Sequence, residues 1–303
     1  MKKPLISFGI PSIRDIDYVR KTINMLFNKA DDPSSIEIIF RFNTDTAPVT
    51  AYQNQQGYID DILVNQPQEI KNNIKFLFGK SNYGYCSIGD FHHEIVEEYT
   101  GEFLFFFNDD CDDLTEGYDS VVKPYSGKCV ILNIDNHYNP YDLFVMSRKF
   151  IELNNNMVQY STYYNYDMQD WSESFPEICH RVDIEVQHQP SAQFGMRVSH
   201  GHDCRVLNED GYTWNCKHFG IDGKQKKLRS DKNGLNKRIK LNYVDIPNLK
   251  KQLKENPEYI YDIENNNPDT WEDREIQILD VWKCGCCSFE LQDIQEQVRD
   301  YLI

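Results

Sequence analysis

Short apolar runs alternate with polar turns and with stretches of helical spacing along the first half of the chain. Residues 5–10, LISFGI, read as a buried strand stopped by Pro11. Residues 12–15 form a polar turn, and Asp15 is placed to cap a helix over 16–30. Ile16, Val19, Ile23, Leu26 and Phe27 fall on one stripe of that helix. A breaker at 31–35 precedes a second strand over 36–42. A loop of weak helical pattern runs to Asn73, and residues 74–78 form a third strand. A glycine-bearing turn over 79–84 leads to a helix over 90–99, a fourth strand over 103–107, a helix over 114–122 and a strand over 129–134. Strands alternating with helices predict an α/β fold: a mostly parallel sheet with helices on both faces.

The stretch GEFLFFFNDDCDD, residues 101–113, changes the picture from fold to chemistry. Its aromatic run is too short to span a bilayer and reads as a fully buried strand. Four carboxylates follow within residues 109–113. Such crowding at a strand exit costs stability unless a cation or solvent offsets the charge. Oxygen-only donors suit Mg²⁺ or Mn²⁺, and the C-terminal edge of an open sheet is where ligands bind. The alternative is an acidic turn in which Asp112 or Asp113 caps a helix starting at Leu114. Ser12 and Arg14, Asn43 and Asp45, and residues 109–112 follow strands one, two and four, so they are expected in one cleft.

A net charge of −16 argues against general nucleic-acid binding. No GxGxxG follows the first strand and no GxxxxGK[ST] occurs, which disfavours dinucleotide and P-loop sites. No leader or membrane-spanning stretch is visible, and nine cysteines, scattered except at the C-terminus, fit free thiols in a reducing cytoplasm.

On these motifs the chain resembles the glycosyltransferases of the GT-A fold, family 2 in particular. Pro11-Ser12-Ile13-Arg14 is similar to that family's opening turn, and Asn43-Thr44-Asp45 stands where the family carries an acidic contact to the nucleotide base. Asn82-Tyr83-Gly84, then Gly101-Glu102, a hydrophobic strand and an acidic cluster complete an ordered series over about the first 115 residues. The resemblance implies a metal-dependent inverting transfer of sugar from a nucleoside-diphosphate sugar, UDP-linked by the family's habit, to a hydroxyl of a glycan or glycolipid. It implies Pro11, Ser12, Arg14, Asn43, Asp45, Asn82, Gly84 and Asp109 around the donor. It also implies Mn²⁺ or Mg²⁺ at Asp110 and Asp112, with His202 (or His200) as a further ligand. One departure is Asn108 where the D-x-D motif normally starts; Asp110-Cys111-Asp112 restores the motif two residues later.

Gln169-Asp170-Trp171 is similar to the family's acceptor-side motif, with Gln in place of an acid, which makes Asp170 the expected base and Asp167 or Glu173 the fallback. A carboxylate in a first helical turn also occurs without chemistry, favoured by the helix dipole. Residues 184–188 read as a strand. The expected division is a nucleotide-sugar-binding and catalytic domain over 1–204 and a mainly helical extension over 205–303. Within the extension, residues 224–240 hold eight basic side chains against one Asp. They read as a lid over a diphosphate, as a peripheral contact to a lipid phosphate, or as a solvated loop. Residues 247–259, 271–282 and 289–303 are expected as helices. Cys284-Gly285-Cys286-Cys287 fits zinc-knuckle spacing badly. Two other classes compete: a sugar-phosphate nucleotidyltransferase, which the missing glycine-rich loop disfavours, and a non-catalytic glycan-binding module, which Asn108 and Gln169 favour.

Overall fold

The computed structural model describes residues 3–12, 14–45, 48–80, 88–109, 111–135, 143–158, 164–188 and 240–272. Eight strands form one sheet in the order β3-β2-β1-β4-β7-β6-β8-β5. The strands are β1 (Ile6–Ser12), β2 (Ile36–Asn43), β3 (Ile74–Gly79), β4 (Phe103–Phe106), β5 (Cys111–Leu114), β6 (Ile131–Asp135), β7 (Phe144–Ser147) and β8 (Cys179–His188). β1 runs parallel to β2 and β4, β2 to β3, and β6 to β8. β7 is antiparallel to both β4 and β6, and β5 antiparallel to β8. The expected α/β sheet is present, mostly parallel, with the antiparallel strands confined to the half beyond β4.

β1 lies among the apolar β2 and β4, and its Phe8 stacks on Phe105 with ring centroids 5.0 Å apart. Period-two alternation divides the strand side chains between two cores. Phe8, Phe40, Phe42, Phe103 and Phe105 pack on one face with α1 (Ile16–Asn28) and α2 (Gln55–Leu63). Ile39, Leu104, Phe106 and Met146 pack on the other, with α4 (Ile88–Glu98) and α7 (Tyr164–Ser174). Asp15 caps α1, its carboxylate accepting from the Tyr18 amide at 3.1 Å. Such caps are worth about 1 kcal/mol. α2 and the short α3 (Gln68–Lys71) occupy the segment read as a loop of weak helical pattern; Asn54 caps α2 through the Gly57 amide at 2.8 Å.

The helix expected over 114–122 is a correction. Residues Cys111–Leu114 are strand β5, and α5 spans only Tyr118–Val122. β8 supplies the reason. The Thr115 amide donates to the Glu185 carbonyl at 3.0 Å, and the Glu185 amide donates to Thr115 Oγ1 at 2.8 Å. Gly117, at φ 70°, then breaks the backbone before a helix can start. Asp112 and Asp113 are therefore strand residues, not helix caps. β8 begins five residues before the expected strand.

Ser147 ends β7 and caps α6 (Arg148–Leu153), accepting from the Phe150 amide at 3.2 Å. A π-helical turn, Leu241–Asp245, leads into α8 (Ile246–Glu255). Leu241, Ile246, Leu249, Leu253 and Trp271 join the core that α7 packs on, so this part of the C-terminal extension shares the sheet's second core. The basic run up to 239, the cysteine cluster and the helices expected beyond 272 lie outside the described residues.

Candidate functional site

The C-terminal ends of β1, β2 and β4 lie side by side, because these strands are parallel and paired in register. Ser12 closes β1 and is buried; its Oγ accepts from the Arg14 amide at 3.2 Å. Arg14 Nε then reaches Asp109 Oδ1 at 3.5 Å, across from the end of β4. Both side chains are mostly buried, 13% and 18% exposed, so the pair is less screened than a surface pair. The Tyr58 hydroxyl donates to the Arg14 carbonyl at 3.4 Å. Burial pushes that phenol well above its ordinary pKa, so it stays a neutral donor. Two of the segments expected to converge do so through a direct side-chain contact.

At β2 the organising residue is Arg41, which the sequence reading passed over. Arg41, Asn43 and Ile39 share a face of the strand. Arg41 is 1% exposed, and its guanidinium lies 3.7 Å from the Phe91 ring centroid on α4. Nε and Nη2 hold the two oxygens of Glu94 at 2.9 and 3.3 Å. Nη2 also donates to the Lys80 carbonyl at 2.9 Å, and Nη1 to the Phe42 carbonyl at 3.5 Å and to Asn43 Oδ1. These contacts use every N–H of the guanidinium. They bind the ends of β2 and β3 to α4. A Cβ on Gly79 would stand 2.3 Å from Arg41 Nη2, so glycine there leaves room for the guanidinium. Arg41 inside an apolar strand was the only signal available. Asp45, two residues past Asn43, is exposed.

The acidic cluster is divided rather than pooled. Asp109 meets Arg14, Asp112 meets Lys21 on α1, and Asp113 meets Lys29 at 3.1 Å. The Lys29 hydrogen bond is the main reason the Asp113 carboxyl sits below its usual range. A register shift between Cys111 and Asp113 accompanies this arrangement in β5. The charge that demanded an offset is met, for these three carboxylates, by side-chain cations. The remaining donors are oxygens and suit a hard divalent ion in kind. Among the described residues no group of three or more His, Cys, Asp or Glu side chains is placed to hold a metal. Asp110 and His202 lie outside the described residues, as do Asn82 and Gly84.

Asp170 sits on α7 and is fully buried; Asn242 Nδ2 donates to its Oδ2 at 3.4 Å, and Ser174 Oγ donates to Asn242 Oδ1 at 3.2 Å. The turn before α8 thus covers Asp170. Asp167 is equally buried, and Trp171 packs edge-on to Phe150 at 5.0 Å in the core. The structure brings Ser12, Arg14 and Asp109 together. Asn43 lies one strand over from Ser12, and Asp170 on a separate helix.

No family model matches the chain, and no curated protein matches it in sequence. Among solved structures it is similar to a mannosyltransferase from Pyrobaculum calidifontis in complex with GDP-Man and Mn²⁺, at 10% identity and a TM-score of 0.46 over 100% of this chain and 86% of that one. It is similar to glucosyl-3-phosphoglycerate synthase from Mycobacterium tuberculosis in complex with Mn²⁺, UDP and glucosyl-3-phosphoglycerate, at 11% identity and a TM-score of 0.41 over 69% and 80%. It is also similar to 4-diphosphocytidyl-2C-methyl-D-erythritol synthase from Anaerococcus prevotii, at 12% identity and a TM-score of 0.40 over 61% and 88%. Likeness at this level assigns no activity to the chain.

Proposed function

We propose that this protein is a GT-A-type glycosyltransferase that moves a sugar from a nucleoside-diphosphate sugar to a hydroxyl acceptor. The observation that carries the reading is the Arg14–Asp109 pair at the shared C-terminal edge of β1 and β4, with Ser12 and Asn43 on the same edge. Open α/β sheets bind ligands there. Arg14 supplies a planar cation suited to phosphate oxygens, and Asp109 holds it in place. Ser12 fixes the turn that carries Arg14, and Asn43 and Asp45 face the nucleoside; the resemblance puts uridine first. The reading includes Mn²⁺ or Mg²⁺ at Asp110, Asp112 and His202, where a divalent ion would neutralise charge on the departing diphosphate. Asp170 is the proposed base, acting on the acceptor hydroxyl with inversion.

The burial of Asp170 favours a second reading, a glycan-binding module without turnover. A base has to come within hydrogen-bond reach of its hydroxyl, so Asn242 has to part from Asp170 for catalysis.

A thermal-shift panel tests the first reading, using nucleoside diphosphates with and without Mn²⁺ on wild type and Arg14→Ala. A ligand at one hundred times its dissociation constant adds about 2.7 kcal/mol, which is easily read. A shift with one nucleotide that Arg14→Ala loses supports it; no shift with any nucleotide refutes it. Release of nucleoside diphosphate from the matching nucleotide sugar, abolished in Asp170→Asn, separates transfer from binding alone.

A further inference from the structure

We propose that a groove beside β3 is a binding site for a neutral oligosaccharide, distinct from the strand ends that carry Arg14 and Asp109. None of the residues lining the groove belongs to that edge, so the proposal stands whether the protein transfers a sugar or only binds glycans.

β3 is the first strand of the sheet, so β2 pairs with one side of it and no strand follows on the other. Strand alternation puts Phe76 and Phe78 on the face that α2 packs on. The Phe76 ring lies parallel to Phe40 and Phe42 of β2, with centroids 6.1 and 6.2 Å apart and interplanar angles of 15° and 18°. This row of stacked rings ends at Phe76, which is half-buried. With Phe78 it lines a groove of about 630 Å³, whose other wall is Asn54, Gln55, Gln56 and Ile59 of α2 and its cap. Clefts of this size hold small-molecule ligands.

The polar wall is neutral, and its hydrogen-bonding sense is set. Asn54 caps α2, so its Oδ1 is taken by the Gly57 amide at 2.8 Å and Nδ2 is left to donate. Gln56 Nε2 donates to the Asp60 carboxylate at 2.7 Å, so Oε1 is left to accept. Gln55 is exposed and makes no hydrogen bond among the described residues, so it offers both. None of the six lining residues is charged, in a chain of net charge −16. The matching ligand has an apolar face to lay on the rings and a rim of groups that both donate and accept. A pyranose ring with its hydroxyls has that chemistry, whereas an ion would find no counter-charge on either wall. A peptide adding to β3 as a further strand would be held through its backbone and would leave the three amides unused.

The test is isothermal titration of maltohexaose, cellohexaose and N-acetylchitohexaose, with an oligogalacturonate as the charged control, into wild type, Gln55→Ala, Phe76→Leu and Arg14→Ala. Wild type is expected to bind at least one neutral chain, and the oligogalacturonate more weakly. Gln55→Ala removes no hydrogen bond of the fold, and Phe76→Leu keeps apolar bulk but not the ring; each should weaken that binding about fivefold or more. Arg14→Ala should leave it unchanged. If Phe76→Leu does not fold, Gln55→Ala decides alone. No binding of any neutral chain, binding unchanged in Gln55→Ala, or binding lost in Arg14→Ala overturns the proposal, and the last of these moves the glycan to the strand ends. Binding of a neutral strand-forming peptide where no saccharide binds assigns the groove to strand addition and overturns it as well.

Discussion

Replacing Glu37 with glutamine should cost far more than an isosteric change in a sheet ordinarily does. Glu37 lies on β2, 4% exposed, at the sheet end opposite the candidate site. Its carboxylate accepts from Ser7 Oγ, from the Thr100 amide at 2.9 Å and from Thr100 Oγ1 at 2.9 Å, and it pairs with Lys75 Nζ at 3.0 Å. Burial raises the pKa of this group, but these donors outweigh burial and hold it below the ordinary glutamate value. Glutamine removes the charge and turns one acceptor into a second donor facing donors. Hydrogen bonds to a charged acceptor contribute about 1.5–3 kcal/mol and neutral ones about 0.5–1.5. Lys75, 36% exposed, can turn to solvent, so its share is discounted. The expected loss at pH 7 is about 2–3 kcal/mol. At about 2–4 °C per kcal/mol, the melting temperature should fall by about 4–12 °C. A depressed pKa stabilises the fold above the unfolded value, about 4.3, and that contribution vanishes as pH falls through the folded value. The gap between wild type and Glu37→Gln should therefore close in acid. A gap under about 2 °C at pH 7, or one that persists undiminished at pH 3, would refute the reasoning.

Four further outcomes are expected. Gly79→Ala places a Cβ 2.3 Å from Arg41 Nη2 in a guanidinium that cannot swing aside, so it should cost about 1–3 kcal/mol in denaturant titrations and weaken nucleotide binding too. Gly101→Ala meets Ser7 Oγ at 2.7 Å and the Ser7 backbone nitrogen at 2.8 Å, and should lose at least about 2 kcal/mol by the same assay because backbone must move. Asp112→Asn, whose partner Lys21 is more than half exposed, should change stability by under about 1 kcal/mol; the metal reading requires the Mn²⁺-dependent nucleotide shift to disappear in this variant. Burial pushes the Cys179 thiol up to about 12 and Cys129 higher still, so peptide mapping after alkylation at pH 8 should find both unmodified in native protein and modified after unfolding.

The first half of the fold was legible because its signals are local. Phe103 to Phe106 announce a strand buried on both faces, Asp15 announces a cap, and the α1 stripe gives the helix its buried side. Misreadings fell where a distant partner decides. Residues 111–114 look like the start of a helix until β8 arrives to pair with them, and no local pattern announces that pairing. β7 likewise turns antiparallel through contacts with β4 and β6, which lie in different parts of the chain. At the site, Ser12, Arg14 and Asp109 were legible as residues that follow adjacent parallel strands. Arg41 was not, since a charged residue inside an apolar strand says only that a partner exists, and Glu94 lies on a helix 53 residues on.

The partners of the acidic cluster change what it means. Crowded carboxylates at a strand exit demand compensating charge, and a metal is one source of it. Here Arg14, Lys21 and Lys29 already meet Asp109, Asp112 and Asp113. The cluster therefore has a structural reason to exist without any ion, and its mere presence carries less functional weight than the sequence suggested. The weight shifts to geometry at the C-terminal edge. Arg14 is held at that edge by a carboxylate, and Asn43 is held at the end of β2 by a guanidinium that also ties β2 and β3 to α4. Arg41 is accounted for by that clamp, whereas the fold gives no comparable structural reason for a cation at Arg14. The case for a ligand therefore rests on Arg14, paired with Asp109 where the parallel strands β1 and β4 end, more than on the number of carboxylates that follow β4.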